Sequence, residues 1–177
     1  MPDGQSTFET VVQPHLDAAF NLARWLLRHQ QDAEDAVQEA CLRAHRSLER
    51  FRPGDGRPWF LTIVRNVCYS HLRASRPAGL VLPFDDEVHG LTNDRAQVDA
   101  LVWQAADQAL LERAMDRLSP EYREVIVLYE LENLAYRDIA TIVAIPIGTV
   151  MSRLSRARTR LQAEVIALSG EESAHGL

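Results

Sequence analysis

The residues with the most capacity for chemistry in this chain are its arginines. All nineteen basic residues are arginine and none is lysine. A guanidinium is always charged and presents a planar fork of donors that matches phosphate oxygens. Arg57, Arg65, Arg73 and Arg76 lie in a stretch without a single acidic residue, and Arg153, Arg156, Arg158 and Arg160 lie in another. Asp32, Glu34, Asp35 and Glu39 form an acidic block, and residues 77–105 carry five acids against Arg95 alone. The net charge of −6 hides this segregation. Fields and counterion release are set locally, within about 10 Å, so the distribution outweighs the sum. Two arginine stretches separated by an acidic one suggest two anion-binding surfaces, although either stretch alone also reads as an ordinary solvated face.

Other chemistry is poorly supplied. Cys41-x3-His45 and Cys68-x2-His71 are two helical pairs with zinc-ligand residue types. Small residues on apolar faces are more often core, so no metal is expected. There is no glycine-rich phosphate loop, nucleophile elbow or paired metal-carboxylate signature, so neither catalysis nor a cofactor is expected.

The elements that must position these groups read as helices. The 177 residues are 46% hydrophobic, enough for one medium domain or two small ones. Phe8, Val11, Val12, Leu16, Ala19, Phe20, Ala23 and Leu27 form a helical stripe over 7–29. Asp32 reads as the N-cap of a second helix, with Asp35 at the capping-box position and Ala33, Ala36, Val37, Ala40, Cys41, Ala44 and Leu48 as its apolar side. A third helix is expected from about Pro58 to Arg73, burying Trp59, Ile63, Val67 and Cys68. Pro77, Gly79, Pro83, Gly90 and the surrounding acids read as a linker. Helical spacing resumes near Val98, and Ser119-Pro120-Glu121 is a helix start. The β-prone run Val125–Tyr129 sits between that start and further helix formers, and is expected to be buried helix. The fold class is therefore all-α: two helical domains, 5–76 and 98–168, joined by a flexible acidic linker over 77–97 and followed by a tail over 169–177. Two cysteines, no signal-peptide pattern and no apolar run near about 18 residues point to a soluble protein of the reducing cytoplasm, with no membrane partner.

Residues 134–154 have the layout of a helix-turn-helix. A short helix with Ile139, Ala140 and Val143 inward precedes a tight turn. Pro146 then opens a second helix whose Val150 and Leu154 pack back. Thr149, Met151, Ser152, Ser155 and Arg156 remain on the outer face, suited to a major groove, with Arg153, Arg158 and Arg160 within reach of phosphates.

The stretch Pro146-x-Gly148-Thr149-Val150-x-Ser152-Arg153-Leu154-x-Arg156-Ala157-Arg158 resembles the recognition helix of the extracytoplasmic-function (ECF) group of sigma-70-type sigma factors. Leu118-Ser119-Pro120-Glu121-x-Arg123-x-Val125 resembles the start of the same domain, region 4. Asp32-Ala33-Glu34-Asp35-x-x-Gln38-Glu39-x-x-x-Arg43-Ala44 and Trp59-Phe60-x-x-Ile63-Val64-Arg65-Asn66 resemble the family's region 2. The resemblance implies an alternative sigma factor that directs promoter-specific transcription initiation. It assigns Asp35, Gln38, Glu39 and Arg43 to the clamp of the largest subunit of core RNA polymerase, and implies a contact of region 4 with the flap of the second-largest. It places Arg65, Asn66, Tyr69, Ser70 and Arg73 at the minus-10 element, where Trp59, Phe60, Tyr69 and His71 are candidate platforms for unpaired bases. Gly148, Thr149, Met151, Ser152, Arg153, Ser155, Arg156 and Arg158 fall at the minus-35 duplex. An anti-sigma partner is also implied. The chain departs from the pattern at Met151, where a basic residue is common; at Ala144 and Asn133, which replace turn glycines; at Ala135, which replaces a serine cap; and at Cys41, which replaces an aromatic. Two readings compete, a sigma-like decoy and an ordinary helix-turn-helix regulator, both acting through protein partners. The arginine-lined helix argues against the first, and the N-terminal motifs against the second.

Overall fold

The computed structural model describes residues 7–76, 84 and 107–175, and every regular element among them is helical. The stripe over 7–29 is divided. Helix α1 (Phe8–Val11) is followed by a 3-10 turn, Gln13–His15, and then by α2 (Leu16–Leu27). Pro14 sits in the turn, where its missing N–H and fixed φ close a single helix off. Helix α2 buries Ala18, Ala19, Leu22, Ala23, Leu26 and Leu27, and ends at Arg28 in the left-handed region with φ 67°.

Helix α3 (Gln30–Ser47) begins two residues before the expected cap. Arg28 reverses the chain so sharply that His29 becomes the N-cap, without a side-chain bond, and Asp32 falls inside the first turn. Its acids take a different role, since Gln30 donates to Glu34 at 3.0 Å and Gln31 to Asp35 at 3.1 Å. The buried face is entirely alanine, Ala33, Ala36, Ala40 and Ala44, which lets α3 lie close to α2 and α4.

Helix α4 (Gly56–Ala74) is capped by Asp55, whose carboxylate accepts from the Arg57 N–H at 2.9 Å. Phe60, Leu61, Val64, Val67 and Cys68 form its buried face. Trp59 and Ile63, expected in the core, are half-buried at its edge, and Trp59 packs on Phe51 with ring centroids 4.9 Å apart. The buried face is rotated because α4 also packs against a helix of the second half. Gly56 is where α4 meets α1. A Cβ there would lie 2.6 Å from the Val11 carbonyl oxygen. Gly56→Ala is therefore expected to lower stability by about 1–2 kcal/mol in denaturant titration, the short α1 yielding part of the strain.

In the second half, α5 (Gln108–Asp116) precedes α6 (Pro120–Ile126), which starts as expected, with the Ser119 hydroxyl accepting from the Tyr122 N–H at 3.3 Å. The β-prone run is helical and buried. α6 continues into a π turn over Val127–Leu131, and Val125 to Leu128 are fully enclosed. Helix α7 (Tyr136–Val143) and the long α8 (Ile147–His175) follow, meeting at a 95° bend. The segment read as a tail is thus helical as far as His175. α7 turns Ile139, Ile142 and Val143 inward, leaving Ala140 half-buried.

Two of the three left-handed positions among the described residues carry departures from the family pattern. Asn133 has φ 53° and Ala144 has φ 60°, and Ala135 caps α7 without a side-chain bond. An alanine in the left-handed region costs roughly 1–2 kcal/mol, partly offset by the lower chain entropy it brings to the unfolded state. Ala144→Gly is expected to raise the unfolding free energy by about 0.5–1 kcal/mol, read from the denaturant midpoint at unchanged slope.

The expected linker lies outside the described residues, apart from Phe84. The two helical halves are packed face to face: α2 meets α6, α4 meets α7, and their buried side chains run together as one apolar cluster. Long-range polar contacts stitch the same boundary. Arg57 donates to the Glu132 carbonyl at 2.8 Å and pairs with its carboxylate at 3.0 Å, Asn21 donates to that carboxylate at 2.6 Å, and Arg28 pairs with Asp116 at 3.1 Å. Among the described residues no single helix is long and apolar enough to cross a membrane.

Candidate nucleic-acid interface

The N-terminal turns of α8 form the outer edge of the helix-turn-helix. Val150, Leu154, Ala157 and Leu161 are buried at three- and four-residue spacing, which fixes the roll of the helix. That roll leaves Ile147, Gly148 and Met151 exposed, with Thr149, Ser152, Ser155 and Arg156 half-buried on the same side. A Cβ at Gly148 would meet nothing within 4 Å, so the backbone there is open to an approaching surface. The Ser152 hydroxyl donates to the Thr149 carbonyl at 3.1 Å and is held along the helix.

The α8 arginines have partners inside the chain. Arg153 is buried, with its guanidinium 4.9 Å from the Phe84 ring centre. Arg158 donates from Nε to Glu130 at 2.7 Å and lies over the Tyr129 ring, which stacks on Tyr136. Arg160 pairs with Glu164 at 2.9 Å and is half exposed.

The candidate minus-10 residues divide by their place around α4. Asn66 and Arg73 are exposed and Ser70 is half-buried, with the Ser70 hydroxyl donating to the Asn66 carbonyl at 3.0 Å. Arg65 and Tyr69 turn toward the second half of the molecule. Arg65 forms a two-point ion pair with Glu124 of α6, Nε to Oε2 at 2.7 Å and Nη2 to Oε1 at 3.0 Å. The Arg65 guanidinium lies 4.4 Å from the centre of the Tyr69 ring. Burial, then the neighbouring Glu124 charge, pushes the Tyr69 phenol far above its ordinary range, and its hydroxyl has no well-formed hydrogen bond. Glu124 is fully enclosed, and burial raises its carboxyl against the pull of Arg65.

The acidic helix α3 presents Asp35 and Gln38 outward, with Glu39 and Arg43 paired along the same face. Glu39 also meets His71 of α4 at 3.1 Å, and this bond is the main cause holding its carboxyl below the usual range. His45 lies beside the Phe8 ring, with ring centroids 6.2 Å apart. Among the described residues no group of three or more His, Cys, Asp or Glu converges on a metal position.

Residues 11–77 match the family description "Sigma-70 region 2" and residues 108–161 match "Sigma-70, region 4". The ECF RNA polymerase sigma factor SigE of Mycolicibacterium smegmatis is 32% identical over 95% of this chain and 65% of its own length. The ECF RNA polymerase sigma factor SigM of Mycobacterium tuberculosis is 33% identical over 87% of this chain and 74% of its own. The chain belongs to the ECF sigma factors. Among solved structures, the sigma factor RpoE of Bartonella quintana, determined with the anti-sigma factor NepR, superposes with a TM-score of 0.68 at 29% identity, covering 89% of this chain and 96% of that one. CnrH, determined with the cytosolic domain of CnrY, gives 0.63 at 25% identity, covering 90% and 88%.

For an ECF sigma factor, sequence reasoning missed two features. Leu42 stands 60% exposed between Gln38 and Arg43 on α3. Its signal was phase, because it falls out of step with the alanines buried at positions 33, 36, 40 and 44. Glu124 was passed over altogether. Its signal was a carboxylate set directly before the apolar run from Val125 to Leu128, next to the buried Arg123.

Proposed function

We propose that this ECF sigma factor binds core RNA polymerase and directs promoter-specific transcription initiation as a dissociable, non-catalytic subunit. Region 2 docks on the clamp of the largest subunit through Asp35, Gln38, Glu39 and Arg43, joined by Leu42, and region 4 docks on the flap of the second-largest. Asn66, Ser70 and Arg73, together with Arg65 and Tyr69, serve the minus-10 element. The outer edge of α8, from Gly148 to Arg156, serves the minus-35 duplex. Such a subunit works in the cytoplasm, and the solved sigma factor RpoE, determined with the anti-sigma factor NepR, supports a partner of that kind here.

The observation that carries this reading is the 95° helix-turn-helix whose second helix opens with an unobstructed Gly148 and a polar outer edge. A decoy that binds only protein has no use for such an edge. Run-off transcription with core polymerase on the gene's own upstream region tests it. A discrete start site that depends on the added protein is expected. No stimulation by a folded, partner-free preparation overturns the proposal.

A further inference from the structure

The residues assigned to DNA are unevenly available. Arg65 of α4, assigned to DNA, is instead held on one enclosed carboxylate, Glu124, with the Tyr69 ring against its guanidinium, and Arg153 of α8 is buried as well. Arg65 grips it at two points, and Arg153 lies near enough to act on its charge. Phe84 closes the cluster from the linker side, stacked edge-on to Tyr122 at 5.2 Å and beneath the Arg153 guanidinium. Around this cluster the boundary between the halves is held at separate points by Glu132, which takes both Arg57 and Asn21, and by Arg123, which donates to the Trp25 carbonyl at 2.7 Å.

We propose that Glu124 is a built-in latch: it holds the free chain closed by occupying Arg65 the way a DNA phosphate would, and regions 2 and 4 must separate before the minus-10 face is complete. The latch rests on the promoter-directing reading, since it concerns the same arginine and tyrosine. A carboxylate and a phosphate present comparable oxygen pairs to a guanidinium fork, so the two compete for one site. The competition is poised, because burying an ion pair costs about as much desolvation as its attraction returns. Glu124 thus supplies specificity for the closed arrangement more than stability. Removing its charge leaves Arg65 enclosed without its counterion, which the open state relieves by returning the guanidinium to water. Opening uncovers the apolar side chains where α2 meets α6 and α4 meets α7, but each half keeps packing of its own, α2 against α3 and α4, and α6 against α8, so separation is not unfolding.

Two variants test this in the full-length chain, Glu124→Gln and Glu132→Gln, neither of which replaces a residue assigned to DNA. The wild type is expected to scatter X-rays as a compact particle, with a radius of gyration near about 16 Å for a chain of this length. Both variants are expected to expand while far-UV circular dichroism holds their helix content. They are also expected to bind a single-stranded minus-10 oligonucleotide roughly tenfold more tightly, because a larger fraction of molecules is competent. If Glu124→Gln fails to fold, Glu132→Gln carries the comparison. An already expanded wild type, variants that stay compact, or expansion without a gain in binding would each overturn the latch. Run-off transcription by the wild type reads the promoter-directing function separately, so loss of one conclusion is distinguishable from loss of the other.

Discussion

Arg123→Ala is expected to lower the unfolding free energy by about 3–4 kcal/mol, an unusually large effect for one side chain. Arg123 is 3% exposed, and its guanidinium is turned onto backbone carbonyls. Its Nε donates to the Met115 carbonyl at 3.1 Å and its Nη2 to the Leu118 carbonyl at 2.8 Å, both at the C-terminal end of α5. Its Nη1 donates to Trp25 at 2.7 Å and to Leu26 at 3.5 Å, in the last turn of α2. Helix ends leave carbonyls without intrahelical partners and carry partial negative charge, so one guanidinium satisfies two helix termini from opposite halves of the molecule. Burial draws its pKa down, as does the nearby Arg28, but an arginine stays charged across the accessible range. Alanine would strand these carbonyls in an apolar seam. Lysine keeps the charge but cannot aim donors in three fixed directions, so Arg123→Lys is expected to recover only part of the loss. Guanidinium chloride titration at constant slope measures both variants. An alanine variant within about 1 kcal/mol of wild type would show that the seam does not depend on this residue.

The same residue shows where sequence reasoning reached and where it stopped. Local signals were legible. Ser119-Pro120-Glu121 started a helix, the apolar stripe of α2 packed inward, and Val125 to Leu128 were recovered as buried helix because their flanks outweighed their β propensity. Errors came where a single residue changed the local geometry. Pro14 split one expected helix, and the left-handed Arg28 moved the start of α3 ahead of Asp32. The buried face of α4 was misjudged by one residue, Phe60 rather than Trp59, since the second half of the molecule covers part of it. The packing of the two halves was not legible, because it is written in pairs distant along the chain. Arg65 with Glu124 and Arg57 with Glu132 are separated by 59 and 75 residues. Read singly, those arginines look like parts of a phosphate-binding face, and nothing local distinguishes an arginine aimed at DNA from one aimed at a buried glutamate. Of the candidate site, the outer edge of α8 follows from periodicity alone, whereas the inward turn of Arg65, Tyr69 and Arg153 needed the tertiary structure.

On that outer edge, Arg156→Ala is expected to cost about 1–3 kcal/mol in binding to the cognate minus-35 duplex and to relax sequence preference there. The roll of α8 is set by Val150, Leu154, Ala157 and Leu161, and it places Arg156 four residues beyond Ser152 and seven beyond Thr149 on the half-buried outer side. A guanidinium in that position meets base edges when the helix N-terminus enters a major groove. Arg160 lies a further turn along, half exposed and held by Glu164 at 2.9 Å, away from the leading edge. Its contacts can only be with the backbone of the duplex. Arg160→Ala is therefore expected to weaken cognate and scrambled duplexes alike and to reduce the salt slope of binding by about one unit. Met151, 49% exposed at the centre of the edge, adds apolar area where a basic side chain would add another phosphate or guanine contact, so discrimination falls more heavily on Arg156. Titrations of the full chain with both duplexes at several salt concentrations separate the two effects. Equal losses on cognate and scrambled DNA for Arg156→Ala would mean that this side of α8 does not face the bases.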